Sequence, residues 1–355
     1  MRFGAGVGIV LAGLLCHPFG FAQQKAAVVQ RGEAASGVVT PRHPITLDVV
    51  VTPKRGGEPV SGLTAGDFTV LDNKVPQKIT LFYAVDGSEA PIKVILVVDA
   101  VNSYYQTVAY ERGQIDKFLR ANGGHLAYPT QLAIFTDTGT QIQNGFSQDG
   151  NALSASLDHF TVGLRTIHRS QGFYGAGDRL SLSIKAIHML STHEATVPGR
   201  KFVLWISPGW PILSGPAVQI GPKQQRGIFR TVAGLSTGLR EARITLYSID
   251  PLGTADAGGL YISAYQNFVK GVRKPDEVQF GNLALQVLAV QSGGRVLNSS
   301  NDVTGLLREA MSDAGAYYEL SFDGGVGEPD EYHQIRVEIA KPGLVARTRT
   351  GYYSP

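Results

Sequence analysis

Lys93-Val94-Ile95-Leu96-Val97-Val98-Asp99-Ala100-Val101-Asn102-Ser103 is an unbroken apolar run that stops on a carboxylate, an amide and a hydroxyl. A strand with one solvated face alternates apolar and polar residues. A short continuous apolar run between helical patterns instead reads as a central parallel strand, covered on both faces. Three later stretches repeat the design: Gln131-Leu132-Ala133-Ile134-Phe135-Thr136-Asp137, Lys201-Phe202-Val203-Leu204-Trp205-Ile206-Ser207 and Ile244-Thr245-Leu246-Tyr247-Ser248-Ile249-Asp250. The expected fold class is therefore α/β: a doubly wound, mainly parallel sheet with helices on both faces. Its polar strand ends share one rim, where open α/β sheets bind ligands.

Helical spacing appears between these runs. Residues 106–120 place Val108, Ile115, Phe118 and Leu119 on one face, and residues 150–160 and 179–192 read as further helices. Residues 223–241 carry Ile228, Phe229, Val232 and Leu235. Residues 281–291 are apolar nearly all round, so that helix should be buried. Ser300-Asn301 reads as the cap of a last helix with Val303, Leu306, Leu307, Ala310 and Met311 on one face. Alternation of strands and helices predicts right-handed crossovers.

The two ends of the chain have strand period instead. Ile45, Leu47, Val49 and Val51 alternate, Leu63 to Phe68 leads into a strand, and Asp72-Asn73-Lys74 turns back. Such a unit is too short to bury a core alone. Ala316 to Phe322, His333 to Ile339 and Val345 to Tyr353 supply matching strands. The expected organisation is a β-sandwich built from residues 43–90 and 315–355, with the α/β domain, residues 91–314, inserted between them.

Composition narrows the class. The formal charge is +3 with no Lys/Arg block, which argues against a nucleic-acid partner. Met1-Arg2, an apolar stretch and Gly20-Phe21-Ala22 read as a secretory signal over residues 1–22, followed by a loose leader over residues 23–42. After signal removal no run approaches the length of a membrane span. Cys16 is the only cysteine and lies within the signal, so the mature chain has no disulfide, thiolate metal site or cysteine nucleophile. The expected location is periplasmic or extracellular.

Several constellations have chemistry in their letters. Gly234-Leu235-Ser236-Thr237-Gly238 has the spacing of a hydrolase nucleophile elbow, which needs a buried strand before it and a helix after it. Here a helical pattern precedes it, so chance explains the letters better, and Ser236 stands as the alternative, hydrolytic reading. His188, His193 and Glu194 resemble a metalloprotease motif. Five residues on a helix separate two side chains by about 140°, whereas ligands four apart share a face. They read as surface residues near a helix end, with Thr192 to Pro198 as loop. Tyr104, Tyr105, Phe173, Tyr174, Trp210 and Pro211 fall in loops at the rim, where aromatics either supply contact area or fold over the sheet.

A parallel strand ending in Asp99-x-x-x-Ser103 resembles the von Willebrand factor type A domain, whose strand ends Asp-x-Ser-x-Ser and binds Mg²⁺ at a metal-ion-dependent adhesion site. The wider chain is similar to the secreted acidobacterial VWFA-related proteins. The likeness rests on Val60-Ser61-Gly62-Leu63-Thr64-Ala65-Gly66-Asp67-Phe68, Tyr247-Ser248-Ile249-Asp250-Pro251-Leu252-Gly253, Ser292-Gly293-Gly294-Arg295, Asn301-Asp302, Tyr317-Tyr318 and Gly351-Tyr352-Tyr353. The metal motif departs from the family: Val101 replaces the middle serine, Gly175-Ala176-Gly177-Asp178 stands where a loop threonine belongs, and Pro208 stands for a carboxylate. Asp99, Ser103 and Asp178 remain to hold Mg²⁺, at best weakly. The other reading is that Asp99 and Asn102 cap the following helix and tie the rim together.

These readings lead to an exported, non-catalytic protein-binding or adhesion-type module. Asp99, Asn102, Ser103, Tyr104, Asp178, Ser207 and Trp210 mark its binding rim, and Mg²⁺ dependence is weakened or lost. Its partner would be a protein or another component of the cell envelope. Besides the Ser236 hydrolase, the alternative is a structural envelope component that assembles through its β unit.

Overall fold

Four strands open the described chain: β1 (Pro44–Pro53), β2 (Phe68–Asp72), β3 (Val75–Gln77) and β4 (Ile79–Asp86). Then come β5 (Ile92–Asp99), α1 (Tyr105–Leu119), β6 (His125–Thr136), β7 (Gly139–Ile142), β8 (Ser147–Asp149), α2 (Gly150–Phe160) and α3 (Gly172–Ala195). They are followed by β9 (Arg200–Ile206), α4 (Pro222–Glu241), β10 (Ile244–Ile249), α5 (Leu285–Gln291), β11 (Val296–Leu297) and α6 (Val303–Ser312). The chain closes with β12 (Ala316–Asp323), β13 (Tyr332–Ile339), β14 (Leu344–Arg347) and β15 (Gly351–Tyr353). This computed structural model describes residues 44–87, 91–103, 105–160, 172–213, 220–253, 264–325 and 327–354. The signal and leader readings, and Tyr104, lie outside the described residues.

The central sheet has the order β11-β10-β9-β5-β6-β7, with β8 also paired to β6. Strands β5, β6, β9, β10 and β11 are mutually parallel, and β7 and β8 run antiparallel to β6. Strand β5 lies between β6 and β9 and is buried on both faces. Val94, Leu96 and Val98 join a core with residues of α1, α2 and α6, while Ile95 and Val97 join one with residues of α3, α4 and α5. That double cover is why no polar residue interrupts the run. Each such side chain contributes roughly 1.5–3 kcal/mol by leaving water, so β5 is the strand around which both cores form.

The two ends of the chain pair across the whole length of the sequence. β1 aligns antiparallel with β12, Leu47 opposite Leu320, and β2 with β13, Val70 opposite Val337. The sheets β14-β1-β12-β4 and β15-β13-β2-β3 share a core of Ile45, Leu47, Val49, Phe68, Val70, Tyr318, Leu320, Phe322, Ile335 and Val337. One end of the outer face of the first sheet is buried as well: Val50, Val85 and Tyr317 belong to the core beneath the parallel sheet, while Leu81 and Tyr83 on that face are exposed. At this junction Arg243, just before β10, donates to Asp48 Oδ1 at 2.7 Å and to Glu319 Oε2 at 2.6 Å. The Arg200 guanidinium lies between the rings of Tyr317, 4.4 Å away, and Phe202, 4.7 Å away.

Several local expectations change. Helix α3 starts at Gly172 and runs to Ala195, so Gly175 to Asp178 are helical and Thr192 is not in a loop. The buried helix begins at Leu285, because Ala284 is extended and residues 280–283 form a separate 3₁₀ turn. The cap of α6 is Asp302, whose Oδ1 accepts from the Gly305 N–H at 3.1 Å; Ser300 Oγ supports it by accepting from Asp302 N–H. Glu194, read from the sequence as a surface residue, is fully buried, because α3 continues past it and turns it inward.

Candidate functional site

The parallel strands bring the polar ends of β5, β6, β9 and β10 to one rim, and Asp99 is its hub. The carboxylate is fully buried. Its Oδ1 accepts from the backbone N–H groups of Val101, at 3.0 Å, and Asn102, at 2.9 Å. Its Oδ2 accepts from Asn102 Nδ2 at 2.8 Å and from the indole N–H of Trp205 at 3.0 Å. Ser207 Oγ, at the end of β9, accepts from the Gly209 N–H at 3.1 Å. Asn102 Nδ2 donates as well to Ser183 Oγ on α3, at 2.9 Å. One carboxylate thus ties the loop after β5 to β9 and, through Asn102, to α3.

Beneath it lies a second carboxyl group that the sequence reading missed. Ser103 Oγ donates to Glu111 Oε1 at 2.9 Å, and Glu111 on α1 is wholly buried. Its other oxygen has no hydrogen-bond partner among the described residues. Burial holds the Glu111 carboxyl well above the usual carboxylate range; the Ser103 hydroxyl opposes this, and the charges of Asp99 and Asp250 add to it. Asp99 is raised too, chiefly by burial and against the pull of its Trp205 and Asn102 donors. A signal for Glu111 was present: it follows Val108 by three residues and precedes Ile115 by four, a charged residue in an apolar stripe.

The residues expected to form the rim meet largely below the surface. Asp99, Asn102, Ser103 and Ser207 are all buried. Trp210 is 3% exposed and packs edge-on against Trp205 with centroids 5.3 Å apart, so the expectation that it presents a contact surface is corrected: it is core. Gly209 beside it has φ 110°, a backbone conformation that favours glycine. Asp178 is exposed on α3. Tyr174, in the first turn of α3, is 86% exposed.

The groups that donate to the Asp99 carboxylate are N–H groups. They complete the solvation of a buried anion, whereas a cation needs lone pairs facing it. Ser103 Oγ is turned to Glu111. Among the described residues no three His, Cys, Asp or Glu side chains are grouped to hold a metal ion. The hydrolase letters around Ser236 fall inside α4, so the strand-to-helix turn that exposes such a nucleophile is missing at this serine. His188 and His193 are exposed on α3, and His193 Nδ1 lies 2.8 Å from Glu194 Oε1.

No protein-family model matches the chain, and no curated protein matches its sequence. Similar solved structures include the manganese-loaded TRAP protein of Plasmodium vivax, at 9% identity and TM-score 0.37, covering 78% of this chain and 99% of that one. The pilus adhesin SpaC of Lactobacillus rhamnosus GG matches at 10% identity and TM-score 0.35, over 83% of this chain and 49% of SpaC. A point mutant of the PilB minor pilin of Streptococcus sanguinis matches at 10% identity and TM-score 0.33, over 63% of this chain and 62% of the pilin. The chain therefore spans about half the length of the pilus adhesin. All three TM-scores lie below 0.5, and the site is read from its own residues. Among the described residues no helix is long and apolar enough to cross a membrane.

Proposed function

We propose that the chain is an exported, non-catalytic protein-binding module of the adhesion type, built on a von Willebrand A-like domain that has lost its dependence on Mg²⁺. The observation that carries this reading is the saturation of Asp99: four N–H groups, from Val101, Asn102 twice and Trp205, occupy both oxygens. A carboxylate used in this way serves as a fixed brace for the rim. Preorganised loops lower the entropy lost on docking. Tyr174, the exposed aromatic at the start of α3, is the anchor this reading assigns to the partner contact. The partner is a protein of the cell envelope or surface, and residues 1–22 direct the export.

The test uses the mature chain, residues 23–355. Titration with Mg²⁺ and Mn²⁺ should give no heat and no shift in melting temperature. Binding to a partner isolated from the envelope should persist in EDTA and weaken at least about tenfold in Tyr174→Ala, the loss expected when about 1.4 kcal/mol of contact is removed. Metal-dependent binding abolished by Asp99→Ala would overturn the metal-free reading. Partner binding indifferent to Tyr174→Ala would remove this rim from the interface. N-terminal sequencing of exported protein should begin at Gln23.

A further inference from the structure

Arg349, in the link between β14 and β15, is 8% exposed, and its guanidinium makes no hydrogen bond or close ion pair among the described residues. Strand β14 ends at Arg347, opposite Val50 of β1, and Asp48 stands just before Val50 on the same face of β1. The link therefore enters the junction where Arg243 holds Asp48 and Glu319. Burial lowers the Arg349 guanidinium to about 10; the charge of Arg240 on α4 acts in the same direction, and Asp48 opposes both. At neutral pH the group is still a cation. A buried charge that neither neutralises nor pairs is costly, and this one does neither with the described residues.

Its neighbours are short of acceptors too. Arg240 Nε, Arg243 Nε and Arg200 Nη1 are buried and have no hydrogen-bond partner among the described residues. The Arg243 N–H donates to Arg240 O at 3.0 Å, which ties the end of α4 to this cluster. The shielded acids of the junction are already engaged: Arg243 serves both Asp48 and Glu319, and Arg200 Nε lies 3.7 Å from Asp48 Oδ2. Glu241, 3.3 Å from Arg240 Nη2, has a side chain 61% exposed. Cations thus outnumber the shielded carboxylates around them. The cluster is open to solvent at Arg240 and Arg243, whose side chains are 17% and 31% exposed. Arg349 also borders a cavity of about 580 Å³, shared with Lys54 and Arg347.

We propose that this junction binds a small free oxyanion of the phosphate–sulfate class, held by Arg349 and Arg240, while Arg243 stays with its two carboxylates. A tetrahedral oxyanion offers acceptors in several directions, so it can serve guanidinium groups that come from separate elements, and the planar fork of each arginine matches two of its oxygens. A halide has no such oxygens to align. Away from water the attraction is screened less than at the surface. Arg200 opens β9 and Arg243 precedes β10, so the site lies at the opposite end of the parallel strands from the rim. Its failure would leave the reading of Asp99 untouched.

The experiment is calorimetric titration of the mature chain with inorganic phosphate and sulfate at fixed ionic strength, with melting temperature followed in parallel and chloride as the control. Phosphate and sulfate should bind and raise the melting temperature, and chloride should do neither. Arg349→Met keeps the apolar stem, removes the charge and should weaken both oxyanions at least about tenfold. Without oxyanion the same variant should be at least as stable as the parent, because a buried unpaired cation is gone; loss of binding is thereby separated from loss of the fold. Arg240→Gln, at a partly exposed position, should weaken binding as well. Arg226→Met, at the other end of α4, should leave it unchanged. Absence of phosphate binding up to about 10 mM would overturn the proposal, as would binding indifferent to both Arg349→Met and Arg240→Gln, or an equal rise in melting temperature with chloride.

Discussion

The indole N–H of Trp205 lies 3.0 Å from Asp99 Oδ2, reaching from β9 to the carboxyl end of the adjacent β5. The strand end is therefore braced by its neighbour in the sheet as well as by its own loop. Removing this donor leaves a fully buried carboxylate short of one charge-assisted hydrogen bond, which is worth about 1.5–3 kcal/mol. Trp205→Phe keeps most of the ring and should lower unfolding free energy by about 2 kcal/mol or more in urea titration, and speed hydrogen exchange at the Asn102 amide. A loss under about 0.5 kcal/mol would mean that the bond contributes little to the fold.

Glu111 should give the stability curve a definite sign. Its folded-state pKa is raised above the unfolded value by burial, by Asp99 and by Asp250, against the Ser103 hydrogen bond. Between those two pKa values the native state binds more protons than the unfolded one, so stability falls as pH rises through the window. Glu111→Gln keeps an acceptor for Ser103 and cannot ionise. Measured by denaturation from pH 4 to pH 9, the variant should gain on the parent at the alkaline end and match it most closely at the acid end. An equal offset at every pH would show that Glu111 does not titrate in this range.

Trp210 and Tyr174 should separate folding from surface. Trp210→Ala empties a buried site beside Trp205 and should cost about 3–5 kcal/mol. Tyr174→Ala removes an exposed ring and should stay within about 0.5 kcal/mol of the parent. Chemical denaturation of both variants checks the pair; equal losses would contradict the burial difference.

The junction between the sandwich and the parallel sheet rests on Arg243. Its guanidinium serves both Asp48 and Glu319, and all three side chains are half-buried or better shielded. Arg243→Met removes the cation that the two carboxylates share and leaves Asp48 with Arg200 alone, whose Nε lies 3.7 Å from Asp48 Oδ2. A loss of about 2 kcal/mol is expected, below the 3–5 kcal/mol of a fully buried pair because solvent screens part of it. Asp48→Asn combined with Arg243→Met should cost less than the sum of the single changes. Strict additivity would show that the two groups do not interact.

Periodicity carried the architecture. The unbroken run at Val94 to Val98 encodes double cover, and alternation at Ile45, Leu47 and Val49 encodes a strand with one face in the sandwich core. Val50 breaks that alternation, and the structure supplies the reason: it faces a second core. Helix ends were harder to read: Gly175, Gly177 and Asp178 have weak intrinsic helix preference, yet α3 includes them. Of the rim, Asp99, Asn102, Ser103 and Ser207 were legible as strand-end polar groups; Asp99 Oδ1 accepts from the Val101 and Asn102 N–H groups in the loop ahead of α1, which starts at Tyr105.

Neighbours along the chain set which stretches are strands or helices, which faces are apolar, and which polar groups end the parallel strands. Those properties depend on residues within a few positions of one another, so a local pattern records them. The folded chain alone reveals that Trp205, 106 positions away, satisfies Asp99, that Trp210 is buried, and that His333 meets an aspartate 261 positions earlier. Hydrogen bonding and burial act over a few ångströms of space whatever the separation in sequence, and the chain path between such partners leaves no periodic trace.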